Sequence, residues 1–247
     1  MISVCMATYN GERYIKEQIQ SILPQLQPTD ELIVSDDEST DSTLEIIESF
    51  HDKRIKIYHS TAHHFKWNFY NALIHAKGDY IFLSDQDDVW LPNKVNRCVE
   101  VLQNYDLVVH DCKIVDENLQ TVYPSFFTLY HSGSGLIKNV IRSNYYGCCM
   151  AFRRRVFEDA IPFPKTDEIF HDIWLGLVAE TIGKVYFLHE PLISYRRHTN
   201  TKTHLYTSLF SKHGRPYYKK ILSRFTLLCA VLYFKIYNFI HSWKTIS

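Results

Sequence analysis

Gly78-Asp79-Tyr80-Ile81-Phe82-Leu83-Ser84-Asp85-Gln86-Asp87-Asp88-Val89-Trp90 is the stretch that decides the reading of this chain. Residues 80–83 form a continuous apolar run behind a Gly-Asp turn, the pattern of a short strand buried on both faces of a sheet. Directly after it, Asp85, Asp87 and Asp88 fall within four positions. Carboxylates gathered at a sheet edge repel one another, and a hard divalent cation is their natural counter-charge. The stretch therefore predicts a buried strand that ends in a metal-binding loop.

Working outward, the chain alternates between two periodicities. Residues 2–7 read as a strand, and residues 12–23 as a helix with Ile15, Ile19, Ile22 and Leu23 on one stripe, ended by Pro24. Residues 31–35 read as the next strand. Ser42 and Glu45 have the spacing of a capping box for a helix reaching Phe50; residues 55–58, 66–77 and 80–84 then read as strand, helix and strand. Such alternation predicts an α/β fold, with a mostly parallel sheet flanked by helices and a ligand crevice beyond the carboxyl ends of its strands. Thr8-Tyr9-Asn10-Gly11, Asp36-Asp37-Glu38-Ser39-Thr40-Asp41 and Asp85-Gln86-Asp87-Asp88 would converge on that rim. Neither Gly-x-Gly-x-x-Gly nor Gly-x-x-x-x-Gly-Lys occurs, so a metal must neutralise any diphosphate bound there. Asp36, the first carboxylate after the second strand, is placed to meet a base or ribose edge.

Composition bounds the alternatives. A chain of 247 residues, 46% hydrophobic and 22% charged, suffices for one large core with an appendage. Residues 1–190 hold all 27 acids and 17 Lys or Arg, a balance of −10, whereas residues 191–247 hold 10 Lys or Arg and no acid, a balance of +10. The tail is a separate electrostatic object. Six cysteines without a Cys-x-x-Cys pair or zinc-like spacing to histidine support neither a metal knuckle nor a disulfide scaffold, and reduced thiols in a cytosol are expected. Residues 2–7 already read as fold, so no leader is expected. The His63-His64 pair lacks a metal-binding pattern and reads as loop.

The blocks Met6-Ala7-Thr8-Tyr9-Asn10-Gly11, Val34-Ser35-Asp36-Asp37-Glu38-Ser39-Thr40-Asp41, Asp85-Gln86-Asp87-Asp88-Val89-Trp90, Gly147-Cys148-Cys149-Met150-Ala151-Phe152, His171-Asp172-Ile173-Trp174 and Tyr195-Arg196-Arg197-His198 together resemble the family 2 inverting glycosyltransferases of the GT-A fold. The resemblance covers about residues 1–200. It implies a nucleotide-diphosphate-sugar donor held by Ala7, Thr8, Tyr9, Asn10 and Asp36, a divalent Mn²⁺ or Mg²⁺ on Asp87, and Asp172 as general base. It further implies that Arg196 and His198 touch diphosphate or metal. Asp37, Ser39, Asp85, Gln86 and Lys94 complete the expected donor set, and Trp90, Gly147, Cys148, His171 and Trp174 the acceptor set. The chain departs from the family in carrying His-Asp where Glu-Asp is commoner, and in lacking the QxxRW motif of processive synthases. Addition of a single sugar is the implication.

These residue types suit the chemistry. Cleavage at the anomeric carbon leaves a nucleoside diphosphate whose growing charge a cation stabilises, and inversion needs a base on the opposite face of the sugar. Asp172 opens a helix expected at residues 171–182, whose N-terminus would favour the ionised carboxylate. Each assignment has a plainer counterpart: Asp41, Ser42 and Asp172 as caps, Asp88 as support for its neighbours, Trp90 as core at the start of a helix over residues 92–103, His198 as a surface histidine.

Residues 107–111 and 113–116 read as strands, Ser132-Gly133-Ser134-Gly135 as a flexible connection, and residues 147–152 as a small-residue strand on the acceptor side. The organisation expected is a catalytic domain over residues 1–204, with a donor half (1–104) and an acceptor half (105–204), followed by a basic amphipathic helical tail over 205–247. Residues 225–234 are apolar, too short for a span of about 20 residues but suited to lying on a membrane. Lys212, Arg215, Lys219, Lys220, Arg224, Lys235 and Lys244 alternate there with Tyr217, Tyr218, Tyr233, Phe234, Tyr237, Phe239 and Trp243. Packing on the catalytic domain or a homodimer contact is the competing reading, and no nucleic-acid motif is present. The expectation is an enzyme at the cytoplasmic face of the cell membrane. It would pass one sugar, from dTDP-rhamnose or a UDP-hexose, to a lipid-linked glycan of a bacterial surface polysaccharide (O-antigen, capsule or cell-wall glycan). A sugar nucleotidyltransferase, which would need a glycine-rich basic phosphate loop, and a non-catalytic membrane scaffold are the alternatives.

Overall fold

The most apolar runs of the sequence become the middle of one sheet. In the computed structural model, which describes residues 1–198 and 217–244, with side chains of the last segment described over 221–237, β1 (Ile2–Thr8), β2 (Glu31–Asp36), β3 (Ile55–His59) and β4 (Tyr80–Ser84) lie parallel in the order β3-β2-β1-β4. Every residue of β2 is buried, as helices on both faces require. The crossovers run through α1 (Ile15–Ile22), α2 (Thr43–Glu48) and α3 (Phe65–His75). At the end of the sheet away from the acidic loop, buried Glu31 takes bonds from Ser3 Oγ, Lys56 Nζ and the Lys77 backbone, so its charge is paired where burial would otherwise penalise it.

Beyond β4 the sheet mixes directions. β8 (Met150–Arg153) runs antiparallel to β4 and to β6 (Leu107–Val115); β9 (Val185–Arg196) runs parallel to β6, and β5 (Val89–Trp90) closes against β9. β7 (Thr121–Tyr123) pairs with β6 alone. The consequence for the site is direct: β5 follows the acidic loop and is clamped to the end of β9, so that Val89 faces Ser194 and Trp90 faces Ile193. The remaining helices are α4 (Lys94–Leu102), α5 (Phe126–Tyr130), α6 (Leu136–Ile141), α7 (Arg154–Ala160), α8 (His171–Ile182) and α9 (Tyr217–Lys244).

Several expectations are corrected in detail. The two strands expected over 107–111 and 113–116 are one strand with register irregularities around Asp111. There the Asp111 carboxylate accepts from the Cys112 and Phe127 backbone N–H groups and from Ser125, replacing regular ladder bonds. Residues 147–149 form a 3₁₀ turn before β8 begins at Met150, and Pro24 lies inside a 3₁₀ turn, Leu23–Gln25, that extends α1. The capping box at Ser42 is not formed. Asp41 accepts from the Thr43 N–H while the Ser42 N–H donates to Glu12, so Asp41 serves the cap.

α9 packs on the domain through one stripe, Ser223, Leu227, Val231 and Phe234, against α6 and α8, with Phe234 edge-on to Trp174 at 5.7 Å between ring centroids. Its other side leaves Leu222, Phe225, Leu228, Leu232, Tyr233 and Ile236 exposed. Among the described residues no helix is long and apolar enough to cross a membrane. The expected boundary at 204/205, Leu205, Lys212 and Arg215 lie outside the described residues, as do the side chains of Tyr217, Tyr218, Lys219, Lys220, Phe239, Trp243 and Lys244.

Candidate active site

The acidic loop is held at both ends by one face of α1. Gln18, fully buried in the stripe of Ile15, Ile19 and Ile22, donates to Ser84 Oγ at 2.8 Å and to the Asp85 carbonyl at 2.9 Å. One turn on, Ser21 Oγ accepts the Trp90 N–H at 2.9 Å, and Gln25 donates to the Leu91 carbonyl at 3.1 Å. The positions 18, 21 and 25 repeat with the helix period, so one helix face serves both ends of residues 85–91. None of the three is in the expected site. Their signal in the sequence is a glutamine inside an otherwise apolar stripe, which burial permits only when its amide is bonded.

The other side of the loop is gripped by the end of β9. The Arg196 N–H donates to Asp88 Oδ1 at 3.0 Å, its Nε to the Asp87 carbonyl at 2.8 Å, one terminal nitrogen to the Glu117 carbonyl at 2.7 Å, and the other pairs with Glu17 of α1. Two residues on, His198 Nε2 lies 2.8 Å from Asp87 Oδ2. Arg196 ends β9 and His198 lies just beyond it, and the two meet the backbone and carboxylate of the same aspartate.

The first two loops interlock with it. Gln86 accepts from the Tyr9 N–H at 2.9 Å and donates to the Tyr9 carbonyl at 3.0 Å, a ladder-like pair that stitches the β1 and β4 loops together. A Cβ at Gly11 would stand 2.5 Å from Gln86 Oε1, so any side chain there must displace the Gln86 amide. Asn10, in the left-handed region at φ 48°, accepts from the Thr40 N–H and donates its own N–H to Ser39 Oγ. Ala7 pairs with Ser35 in the ladder, Tyr9 is exposed, and Asp37 accepts the His63 N–H.

Asp172 sits at the start of α8, facing the loop. Its Oδ1 accepts the Ile173 N–H at 2.7 Å and its Oδ2 the Gly147 N–H at 3.3 Å. Burial pushes its carboxyl up to about 6 in spite of those bonds, so the helix N-terminus does not hold it fully ionised as expected; desolvation outweighs the dipole. Burial, then the charges of Asp87 and Asp172, carry Asp85 up to about 7, and burial with Asp87 and Asp85 holds Asp88 well above the carboxylate range. These shifts mean that Asp85, Asp87, Asp88 and Asp172 share one electrostatic neighbourhood. Gly147 leaves room there: a Cβ would lie 3.2 Å from His171 Nε2. His171 is buried, stacked on Phe69 at 4.1 Å, with both ring nitrogens unbonded. Lys66, buried and absent from the expected set, donates to the Pro164 and Thr166 carbonyls and so fixes the segment leading into α8.

Five residues of the expected set are buried and engaged with the protein itself. Lys94 is fully buried, its amine bonded to the Cys148 carbonyl at 2.8 Å and lying 4.0 Å from the Trp90 ring centre, so it supports the pocket wall instead of meeting the donor. Trp90 is core, and Trp174 donates to the Ala160 carbonyl and seats Phe234 of α9; neither faces an acceptor. The Asp36 carboxylate is fully buried and taken by Thr8 Oγ1 and the Ser39 N–H and hydroxyl, so it braces the β1 and β2 loops. The Arg196 guanidinium is bonded to protein groups and positions the acidic loop.

The oxygen-rich donor set of Asp87, with His198 Nε2 beside it, fits a hard divalent cation, and the unrelieved carboxylate crowding is what such an ion would remove. The sequence profile described as glycosyl transferase family 2 matches residues 3–161. The chain belongs to that family. It is 31% identical over 210 residues to an uncharacterized glycosyltransferase of Nostoc, spanning 80% of this chain and 65% of that one, so it covers just under two thirds of that relative's length. It is 28% identical over 237 residues to the dTDP-rhamnosyl transferase RfbG of Shigella flexneri (85% of this chain, 77% of that). To WfgD of Escherichia coli, named a UDP-Glc:alpha-D-GlcNAc-diphosphoundecaprenol beta-1,3-glucosyltransferase, it is 27% identical over 186 residues (73% and 70%). Among solved structures, TarS 1–349 of S. aureus with UDP-GlcNAc superposes with a TM-score of 0.67 at 21% identity, over 83% of this chain and 61% of that one. The mannosyltransferase PcManGT of Pyrobaculum calidifontis with GDP-Man and Mn²⁺ does so at 0.56 and 21%, over 77% and 54%. The fold is thus GT-A, as the motifs implied.

Proposed function

We propose that this chain is an inverting glycosyltransferase that moves a single sugar from a nucleotide-diphosphate donor, dTDP-rhamnose or a UDP-hexose, to a lipid-linked glycan of a bacterial surface polysaccharide. The observation that carries the reading is the bridge from Asp172 to the acidic loop through residues 147–148: the Gly147 N–H donates to Asp172 Oδ2, and the adjoining Cys148 sulfur lies within 4.8 Å of the Asp85 and Asp88 carboxylates. A base and a diphosphate-facing loop on one rim are what displacement at an anomeric carbon needs. In this reading Tyr9, Asn10, Asp37 and Ser39 border the donor, and Asp85 meets its sugar. Asp87 and His198 would hold Mn²⁺ or Mg²⁺, which supplies charge neutralisation for the departing diphosphate. Asp172 takes the proton of the acceptor hydroxyl as its oxygen bonds to the anomeric carbon and the bond to the β-phosphate breaks. A carboxyl near 6 is the better base for that step, being closer in proton affinity to the group it relieves than an ordinary aspartate.

The acceptor reading is supported by the name of WfgD, whose substrate is a diphosphoundecaprenol, and by the apolar side of α9. We assign that side, joined by Ile137 and Ile141 of α6 at 77% and 65% exposure, to the cytoplasmic surface of an anionic membrane. The acid-free tail over 205–247, with seven Lys or Arg, matches such a surface and opposes pairing with a second copy of itself. The test is sugar transfer from dTDP-rhamnose and a panel of UDP-hexoses to undecaprenyl-diphosphate-linked acceptors, with and without EDTA. Transfer that is lost in Asp172→Asn and in EDTA is expected. Full activity of Asp172→Asn would remove it as base, and full activity in EDTA would remove the metal.

A further inference from the structure

The acidic loop has a second side. Asp85, Asp88 and Cys148 each offer one ligand atom, and the three atoms lie within 4.8 Å of one another. Asp88 is 1% exposed, and while its Oδ1 accepts the Arg196 N–H, its Oδ2 has no partner. An unbonded buried carboxylate oxygen is costly and marks a place where something binds. The Cys148 sulfur lies within 4.8 Å of both carboxylates, and Cys149 and Cys112 are buried with it. Lys94, the nearest amine, is held by the Cys148 carbonyl and the Trp90 face.

Two sides of one loop thus offer different chemistry. Asp87 with His198 presents oxygen and imidazole; Asp85 and Asp88 with Cys148 present two oxygens and a sulfur. Sulfur selects Zn²⁺ and its heavier congener Cd²⁺ over Mg²⁺ or Mn²⁺. Ligand atoms around a tetrahedral zinc lie about 3.5 Å apart, so the three groups need close by only about an ångström, within reach of side-chain rotation. We propose that Asp85, Asp88 and Cys148 form a second cation site, selective for a thiophilic divalent ion of the Zn²⁺ or Cd²⁺ kind and distinct from the Asp87–His198 pair. Binding forms a metal–sulfur bond and releases to solvent the thiol proton and the proton held on the paired carboxyls, without a change of oxidation state. Because Asp85 also belongs to the donor side in the proposed function, an ion here excludes the donor sugar.

The site is tested with Cd²⁺ alone as the probe, on the full chain, in a buffer whose reductant carries no thiol. The expected result is one sulfur-bound Cd²⁺ per chain, read from an ultraviolet sulfur-to-cadmium charge-transfer band. That band is retained in Cys229→Ser and Asp87→Asn and absent in Cys148→Ser. Since Cys148→Ser could disturb packing, Asp88→Asn gives an independent reading: the thiol and the band remain, while Cd²⁺ affinity falls roughly 10–100-fold. No band in the parent chain, a band that survives Cys148→Ser, or an affinity unmoved by Asp88→Asn overturns the site. Neither donor nor acceptor is present, so the outcome stands apart from the fate of the glycosyltransferase reading.

Discussion

Arg196 donates to the backbone carbonyl of Asp87, while His198, two residues on, meets the carboxylate of the same residue. The end of β9 therefore sets both the position and the direction of the proposed metal ligand. A buried guanidinium with three hydrogen-bonded protein partners makes Arg196 a positioning residue, and lysine cannot reproduce its fork. Arg196→Lys should weaken Mn²⁺ binding roughly 10–100-fold with the cooperative thermal melt preserved. Titration of free Mn²⁺ by electron paramagnetic resonance reads it; an unchanged affinity would show that Asp87 keeps its place unaided.

Gly11 and Gln86 form a steric pair. In Gly11→Ala the new methyl meets the Gln86 amide 2.5 Å away, breaking both bonds to Tyr9 and loosening the two loops. Donor affinity should fall about tenfold, the effect of roughly 1.4 kcal/mol lost from two partly exposed hydrogen bonds. Gln86→Ala should cost a similar amount, and adding Gly11→Ala to it should cost little more, since the clash has gone. Calorimetric titration of the sugar nucleotide into all three variants measures this. Strict additivity would place the two effects in unconnected structures.

The pH dependence follows from Asp172. Transfer requires its ionised form, and burial has moved its carboxyl to about 6. The rate should therefore be flat above neutrality and fall with unit slope below about 6, by about tenfold at a pH one unit under that value. An initial-rate profile at saturating donor shows it. A profile flat down to the ordinary carboxylate range would mean that another group, or none, takes the proton.

Asp88 makes the opposite trade. With its folded carboxyl held well above the ordinary 3.8, the folded chain keeps a proton that the unfolded chain has released, so this residue's contribution is full below about that pH and is lost as pH rises. Asp88→Asn keeps the acceptor for the Arg196 N–H and lets the new amide donate toward Asp85. At pH 8 without metal it should melt about 2–4 °C higher than the parent chain, the shift that about 1 kcal/mol makes in a protein of this size. The gap should close toward pH 4. A variant that melts lower at pH 8 would contradict the crowding of charge at the loop.

The apolar side of α9 and α6 should bind anionic vesicles. Ile137 and Leu228 are 77% and 43% exposed, so aspartate at both leaves the core untouched. The parent chain is expected to pellet with vesicles rich in anionic lipid and to be released by salt, and Ile137→Asp with Leu228→Asp to stay in the supernatant. Undiminished pelleting of the double variant would put the docking surface elsewhere.

The sequence by itself determined the four parallel strands, the rim on which their polar ends converge, and the family. A run such as residues 80–83 has only one way to bury both its faces, and the Asp-rich segment follows it directly. It also determined that Asp172 opens a helix, because the apolar period of α8 starts there. What only the tertiary structure decided is which atoms of those residues are free. Burial turned Asp36, Lys94, Trp90, Trp174 and Arg196 inward to brace the rim, and it raised Asp172 against the pull of its helix. Long-range pairing brought Gln18, Ser21 and Gln25 onto the loop and set Cys148 beside Asp85, 63 positions away by their numbers. Hydrogen-bond partners and desolvation depend on neighbours distant in the chain, and no local spacing records them.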